Sequence, residues 1–297
     1  MATSFSENQL NYARKKFYGK FYVTKVNPNF FDKLINKNLI YLYKTKYTLI
    51  NIKRSIYTFF NILFKSKSDQ KSINISINLD ENFVQKISNE LKLNNFAFVE
   101  NFLSTESHKY LVNNWPNINS FKHSKKIIKH YNNAFVYFAN KSNHPIKKIF
   151  NFNDSFPIRK FYEFLLSNEF KKFYTDLVKF EKKNYDLWAI SSTMAPKDSY
   201  LIPHIDGISK NREIKQPYNF IYFLDGYEEN PTLGGATGIY KDNDFKFPIL
   251  IPNTIKNSLL IYNQSESFYH GFKIIECPKG IYRKTINFQI KPTDYNN

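Results

Sequence analysis

Cysteine is almost missing from this chain: Cys277 stands alone in 297 residues. That excludes an intramolecular disulfide framework and any zinc or iron–sulfur site built from thiolates. No run reaches the roughly 18 apolar residues that a bilayer-spanning helix needs. Residues 1–20 carry charge throughout and lack the apolar stretch of a secretory signal, so a cytoplasmic address is the default expectation. Glycine is scarce, at 8 residues, and arginine scarcer still, with Arg14, Arg54, Arg159, Arg212 and Arg283 against 38 lysines. Abundant Lys, Asn, Ile, Phe and Tyr with little Gly is the residue set of AT-rich codons. Such a bias makes a protein basic with no functional cause, and it makes each Arg informative.

What is present is a large aromatic and apolar content: 30 Phe, 22 Tyr and 42% hydrophobic residues, enough to close a sizeable core. The formal net charge is +18, and residues 1–78 contribute +11 of it. A basic protein invites a nucleic-acid or anionic-membrane reading. Within that leader Leu49, Ile52, Ile56, Phe59, Phe60 and Leu63 recur at helical spacing among lysines, which predicts an amphipathic helix in residues 39–67. Such a helix either lies in an anionic membrane interface or packs its stripe on the following domain.

The expected organisation is a basic aromatic extension over 1–78 and a main domain over 79–297, with helical support in 79–184 and a β core in 185–291. A helix from Asp80 through Leu91 sets Val84, Ile87 and Leu91 on one face, a strand covers 96–102, and Ser104 or Thr105 caps a second helix ending near Asn114. Residues 115–155 read as loop. A helical pair over 157–166 and 168–181 buries Phe161, Phe170, Phe173, Leu177 and Phe180. After Asn184 short strands follow at 186–194, 204–206, 218–224, 238–240, 258–262, 268–275 and 282–290. Helices first and strands last make an α+β fold with its chemistry in the strand-rich half.

Two of the six histidines stand in informative places. In Pro203-His204-Ile205-Asp206-Gly207, an extended His-x-Asp aims an imidazole and a carboxylate to one side, because the strand period is two. His270 follows in Phe268-Tyr269-His270-Gly271. Two His and one carboxylate occupy one face of an octahedral ferrous ion and leave three positions open, the arrangement suited to dioxygen chemistry. The same three ligands also suit a catalytic zinc. Arg283 favours iron with an organic co-substrate: its planar fork grips a carboxylate bidentately, and the Thr285 hydroxyl, two residues on, shares its face of the strand. Alternation places Arg283, Thr285 and Asn287 on one side, Lys284, Ile286 and Phe288 on the other.

In that order (His-x-Asp, the Gly234-Gly235 turn, the distal His270, then Arg-x-Thr) the chain resembles the Fe(II)- and 2-oxoglutarate-dependent dioxygenases, on the branch with prolyl 4-hydroxylase-like catalytic domains. YNFIYFLDGY, LGGATGIY, NSLLIYNQSESFYHGF and GIYRKTINFQI carry the likeness over 185–291, and LKLNNFAFVENFLSTE extends it weakly toward residue 80. The resemblance implies a double-stranded β-helix (jelly-roll) core with supporting N-terminal helices. It implies Fe(II) on His204, Asp206 and His270, 2-oxoglutarate held by Arg283 and Thr285, O2 as oxidant and ascorbate as a candidate reductant. The implied reaction is hydroxylation of an unactivated carbon with release of succinate and CO2; Asp206 separates it from halogenating relatives, which lack the carboxylate. Relatives often place a Tyr on the co-substrate tail from the strand after His-x-Asp. Here either Tyr222 or Phe223 faces inward, and with Phe223 inward the hydroxyl falls to Thr285.

The rival readings are a cupin-like or zinc-dependent enzyme using the same triad, which gives Arg283 and Thr285 no role, and a non-catalytic interaction protein that keeps the fold. Nucleobase-repair members carry a second Arg six residues after the first; position 289 is Gln, which disfavours nucleic acid as substrate. Lys197, Tyr200 and Arg212 flank the His-x-Asp strand as candidates to reach a substrate, whether small molecule, lipid, glycan or protein. His123 and His130 are read as surface residues, His108 on a polar helix face and His144 in a loop before Pro145 are given no site role, and Trp188 is read as core.

Overall fold

The computed structural model describes residues 73–77, 80–116, 118, 121–123, 135–139, 159–205, 217–226, 234–263 and 268–293, together with single helical positions between 34 and 56. Helix α1 (Glu81–Asn94) starts where the Asp80 carboxylate accepts the Phe83 N–H at 2.7 Å and stops at Asn95, which takes the left-handed conformation at φ 64°. Strand β1 (Phe96–Val99) follows, then α2 (Thr105–Asn113), capped by the Ser104 hydroxyl. Two strands, β2 (Lys122–His123) and β3 (Phe135–Ala139), lie where the sequence predicts loop. Helices α3 (Arg159–Leu165) and α4 (Asn168–Leu177) form the expected pair. The second is capped by Ser167 and ends before a 3-10 turn over Lys179–Glu181.

The strand-rich half runs β4 (Tyr185–Ala195), β5 (Leu201–His204), β6 (Tyr218–Asp225), β7 (Gly238–Tyr240), β8 (Pro248–Leu250), β9 (Ser258–Asn263), β10 (Tyr269–Phe272) and β11 (Arg283–Pro292). Among the described residues these strands and the three earlier ones make two antiparallel sheets. One has the order β1-β9-β6-β11-β4-β3-β2 and the other β5-β10-β7-β8. The expected strand at 204–206 is corrected: β5 precedes the His-x-Asp motif and ends on His204. β8 was absent from the expected set because Pro248 and two apolar residues carry no alternation.

Each face of the larger sheet closes a separate core. On one side the helices pack Ile87, Leu91, Leu111, Phe161, Phe170, Phe173 and Leu177 against Phe220, Tyr222, Leu224, Ile286 and Phe288; Phe180 is half-buried beside them. Phe170 stacks edge-on against Phe288 at 5.4 Å, and Phe161 lies nearly parallel to Tyr222. On the other side Ile221, Phe223, Leu260 and Tyr262 meet Ile239 and Phe272 of the smaller sheet. The candidate residues His204, His270 and Arg283 lie on this second, inter-sheet side. The helices brace the sheet from behind.

In the leader, the described positions between 34 and 56 are helical, and Leu34, Tyr41, Leu42, Leu49, Ile52 and Ile56 are all exposed. The stripe is therefore not packed on the domain at those positions. Phe59, Phe60 and Leu63 lie outside the described residues. Among the described residues no helix is long and apolar enough to cross a membrane.

Candidate active site

Strands β5 and β10 pair antiparallel with His204 directly opposite His270, which sets the two imidazoles 4.4 Å apart between ring centres. Both are buried, at 4% and 6% exposure. Close strand approach is required here: a Cβ on Gly271 would meet the Leu201 carbonyl and the Pro203 backbone. The Nδ1 of His204 lies 2.8 Å from the Ile202 carbonyl, a contact it makes by donating its N–H. That bond fixes the orientation of the ring and puts the Nδ1 proton on the carbonyl side. Asp206 lies outside the described residues, two positions past His204. Among the described residues no set of three His, Cys, Asp or Glu side chains converges. His204, its ring oriented by the Ile202 carbonyl, and His270 on the facing strand have the donor chemistry of divalent transition-metal ligands.

Arg283 opens β11 and is 4% exposed. Its Nε donates to the Gly235 carbonyl, one Nη donates to the Thr237 hydroxyl at 2.7 Å, and the other lies 3.5 Å from the Thr285 hydroxyl. The guanidinium plane sits 4.5 Å from the Phe272 ring centre and 5.2 Å from that of Phe223. Thr285 in turn shares a 2.7 Å hydrogen bond with Thr193 across the β4–β11 pair. The result is a buried cation flanked by two threonine hydroxyls, with a third, Thr193, behind Thr285, a donor set suited to a carboxylate. Gly234, at φ 80°, is obligatory in the turn that brings the Gly235 carbonyl to Arg283, since a Cβ there would strike the Ile274 backbone.

The choice left open on β6 is settled by its packing. Phe223 faces the site, while Tyr222 points to the helices and donates to the Asn257 amide oxygen at 3.0 Å. Burial, with a smaller push from Asp225, holds the Tyr222 hydroxyl well above its ordinary pKa and therefore neutral. Thr237 and Thr193 were not among the expected site residues. Thr237 was open to reading, two places after the Gly-Gly turn, but its partner Arg283 is 46 residues away.

The remaining candidates fall elsewhere. Tyr200 is buried, Lys197 exposed, and Arg212 outside the described residues. His108 is structural, its Nε2 2.8 Å from the Leu224 carbonyl. The described part of His123 is its backbone in β2; His130 and His144 lie outside the described residues. Trp188, half-buried, carries the Lys291 ammonium over its ring.

The described residues thus form an antiparallel two-sheet fold with helices on one face, and a His pair and a buried Arg between the sheets. No family model and no curated protein matches the sequence. Among solved structures, a prolyl hydroxylase from Trichoplax adhaerens, in complex with a peptide fragment of a hypoxia inducible factor oxygen degradation domain, superposes with TM-score 0.53. Its identity is 12%, and the match covers 72% of this chain and 91% of that one. A prolyl-4-hydroxylase from Pseudomonas putida aligns at TM-score 0.49 and 8% identity, covering 70% and 98% of the two chains. A 2OG-Fe(II) oxygenase family oxidoreductase from Burkholderia pseudomallei does so at 0.49 and 10%, covering 74% and 95%. The first of these superpositions shows that the chain has a prolyl hydroxylase-like fold.

Proposed function

We propose that this protein is an Fe(II)- and 2-oxoglutarate-dependent oxygenase that hydroxylates an unactivated carbon, built on a double-stranded β-helix. The observation that carries the reading is the pairing, in one inter-sheet core, of the facing His204–His270 pair with a buried Arg283. In this reading His204, Asp206 and His270 hold the iron, while Arg283, Thr285 and Thr237 hold the far carboxylate of 2-oxoglutarate. The bound iron, with O2 and the co-substrate, supplies the oxidising power, and succinate and CO2 leave. The chain's own part is positional. The Ile202 carbonyl keeps His204 in the metal-binding tautomer, the threonines orient the carboxylate, and Phe223 and Phe272 exclude water around the guanidinium. A zinc enzyme using the same triad leaves the buried Arg283 without a task. Succinate formation from 2-oxoglutarate that requires Fe(II) and O2 tests the proposal. Full turnover with zinc, or without 2-oxoglutarate, would reject it.

The leader belongs to the same proposal. Its exposed apolar positions, with Lys37, Lys46 and Lys53 on the same helical stretch, support peripheral docking on an anionic membrane through residues 39–67. The lysines meet lipid phosphates while the stripe enters the acyl boundary.

A further inference from the structure

The inner face of the larger sheet changes character along its length. At the Arg283 end it is apolar apart from the threonines, with Phe223, Ile221 and Leu260. At the other end it is amide-rich. Asn219 sits between Tyr218 and Phe220, both of which face the helices, so its side chain faces the smaller sheet. Gln289 is its direct partner across β6–β11 and Tyr262 its partner across β6–β9. Asn287 and Ser191 pair one step further in. Asn219 is 4% exposed, and its amide nitrogen finds no hydrogen-bond partner among the described residues. A buried donor left so costs about 1–3 kcal/mol unless something else accepts from it.

The depth of this cluster separates it from the co-substrate. Asn219 lies four residues, about 13 Å, along the strand from Phe223, the residue beneath the guanidinium. The Tyr262 ring beside it is 5.0 Å from the His270 ring. The unpartnered amide thus stands at the level of the histidine pair, where the carbon to be oxidised must come. Across Ser191, Asn219, Ile221, Leu260, Tyr262, Asn287 and Gln289 there is no charged side chain. Tyr262, and beyond it Phe96 stacked edge-on against Phe268, continue the wall as an aromatic margin. Asn287 and Gln289 are half-buried, which keeps the cluster within reach of an entering molecule.

We infer that this wall is the substrate subsite and that it takes a neutral, polyhydroxylated ring, a pyranoside. This rests on the oxygenase reading above. A side-chain amide offers a donor and an acceptor side by side and so can address two neighbouring ring hydroxyls at once, and the aromatic margin covers the apolar face of such a ring. The wall itself carries no charge, and the nearest charged side chain on its strand, Lys291, holds its ammonium over the Trp188 ring, so a neutral ligand is matched best. A peptide recognised by strand addition would need a free sheet edge instead of this face.

The test uses the full chain loaded with Fe(II). First, 2-oxoglutarate binding is titrated without oxygen; then succinate formation is followed with methyl β-D-glucopyranoside, methyl β-D-galactopyranoside, N,N′-diacetylchitobiose, or an acetyl-prolyl-glycine amide. A saccharide is expected to stimulate succinate formation. Asn219→Leu should weaken that stimulation about tenfold, the loss of one buried hydrogen bond, while leaving 2-oxoglutarate affinity unchanged. Asn287→Leu, at a half-buried position that tolerates change, should act in the same direction. Stimulation by the peptide alone, or by no probe while 2-oxoglutarate binds normally, overturns the inference. A saccharide response that survives both substitutions overturns it as well. Failure of the wild-type protein to bind 2-oxoglutarate at all strikes the oxygenase reading instead.

Discussion

At Arg283 the chain has combined burial, two hydroxyls and two ring faces around one cation. A lysine there would keep the charge and lose the fork. Arg283→Lys should weaken 2-oxoglutarate binding about tenfold to a hundredfold, the size of a lost charge-assisted bond, with metal binding unaltered. Co-substrate titration checks this; an unchanged affinity would move the carboxylate elsewhere. The sequence made Arg283 conspicuous through rarity, since the chain writes Lys by default. His204 and His270 were legible through their neighbours. The inward side of β6 was not, because every residue from Tyr218 to Leu224 is buried and a strand covered on both faces shows no polar alternation. Asn219 was hidden in the same run: one polar residue among aromatics reads as noise until its neighbours' directions are known.

Among the elements, the capped helices and the long paired strands followed from local chemistry. Asp80, Ser104 and Ser167 each stand where the predicted helix begins. The short strands did not. β8 has three residues, β2 two, and β5 is displaced to end on His204, since pairing partners far along the chain set such segments. The leader helix poses a different question, because its sequence allowed either packing or membrane contact, and of its described apolar positions Leu34, Tyr41, Leu42, Leu49, Ile52 and Ile56 are exposed while Leu39 and Ile50 are half-buried. Replacing Leu49, Ile52 and Ile56 together by Ser removes half of those exposed apolar side chains. Sedimentation with phosphatidylglycerol vesicles should then fall at least about tenfold, since each buried aliphatic side chain contributes roughly 1.5–3 kcal/mol. Equal sedimentation of variant and parent would reject the membrane role.

For the molecule as a whole, the helix-backed core is rich in buried tyrosine. Tyr162, Tyr218 and Tyr222 are all held above the ordinary value of 10.0, chiefly by burial, with Glu181 adding to the shift at Tyr218. A native state that keeps these protons while the unfolded chain releases them is stable below pH 10. It loses about 1.4 kcal/mol per tyrosine for each pH unit above that. The urea midpoint should hold level from pH 8 to near 10 and then drop steeply; a level midpoint through pH 11 would show the phenols to be solvated.

The account turns on one cluster between two sheets, with His204, Asp206 and His270 on a ferrous ion and Arg283 at the far end of the co-substrate. Anaerobic addition of 2-oxoglutarate to the Fe(II)-loaded protein tests this most directly, through the weak visible charge-transfer band of the chelate. The band is expected in the parent protein, at higher 2-oxoglutarate concentration in Arg283→Lys, and not in Asp206→Ala or His270→Ala. A full band in either ligand variant, or none in a parent protein that holds iron, would contradict it.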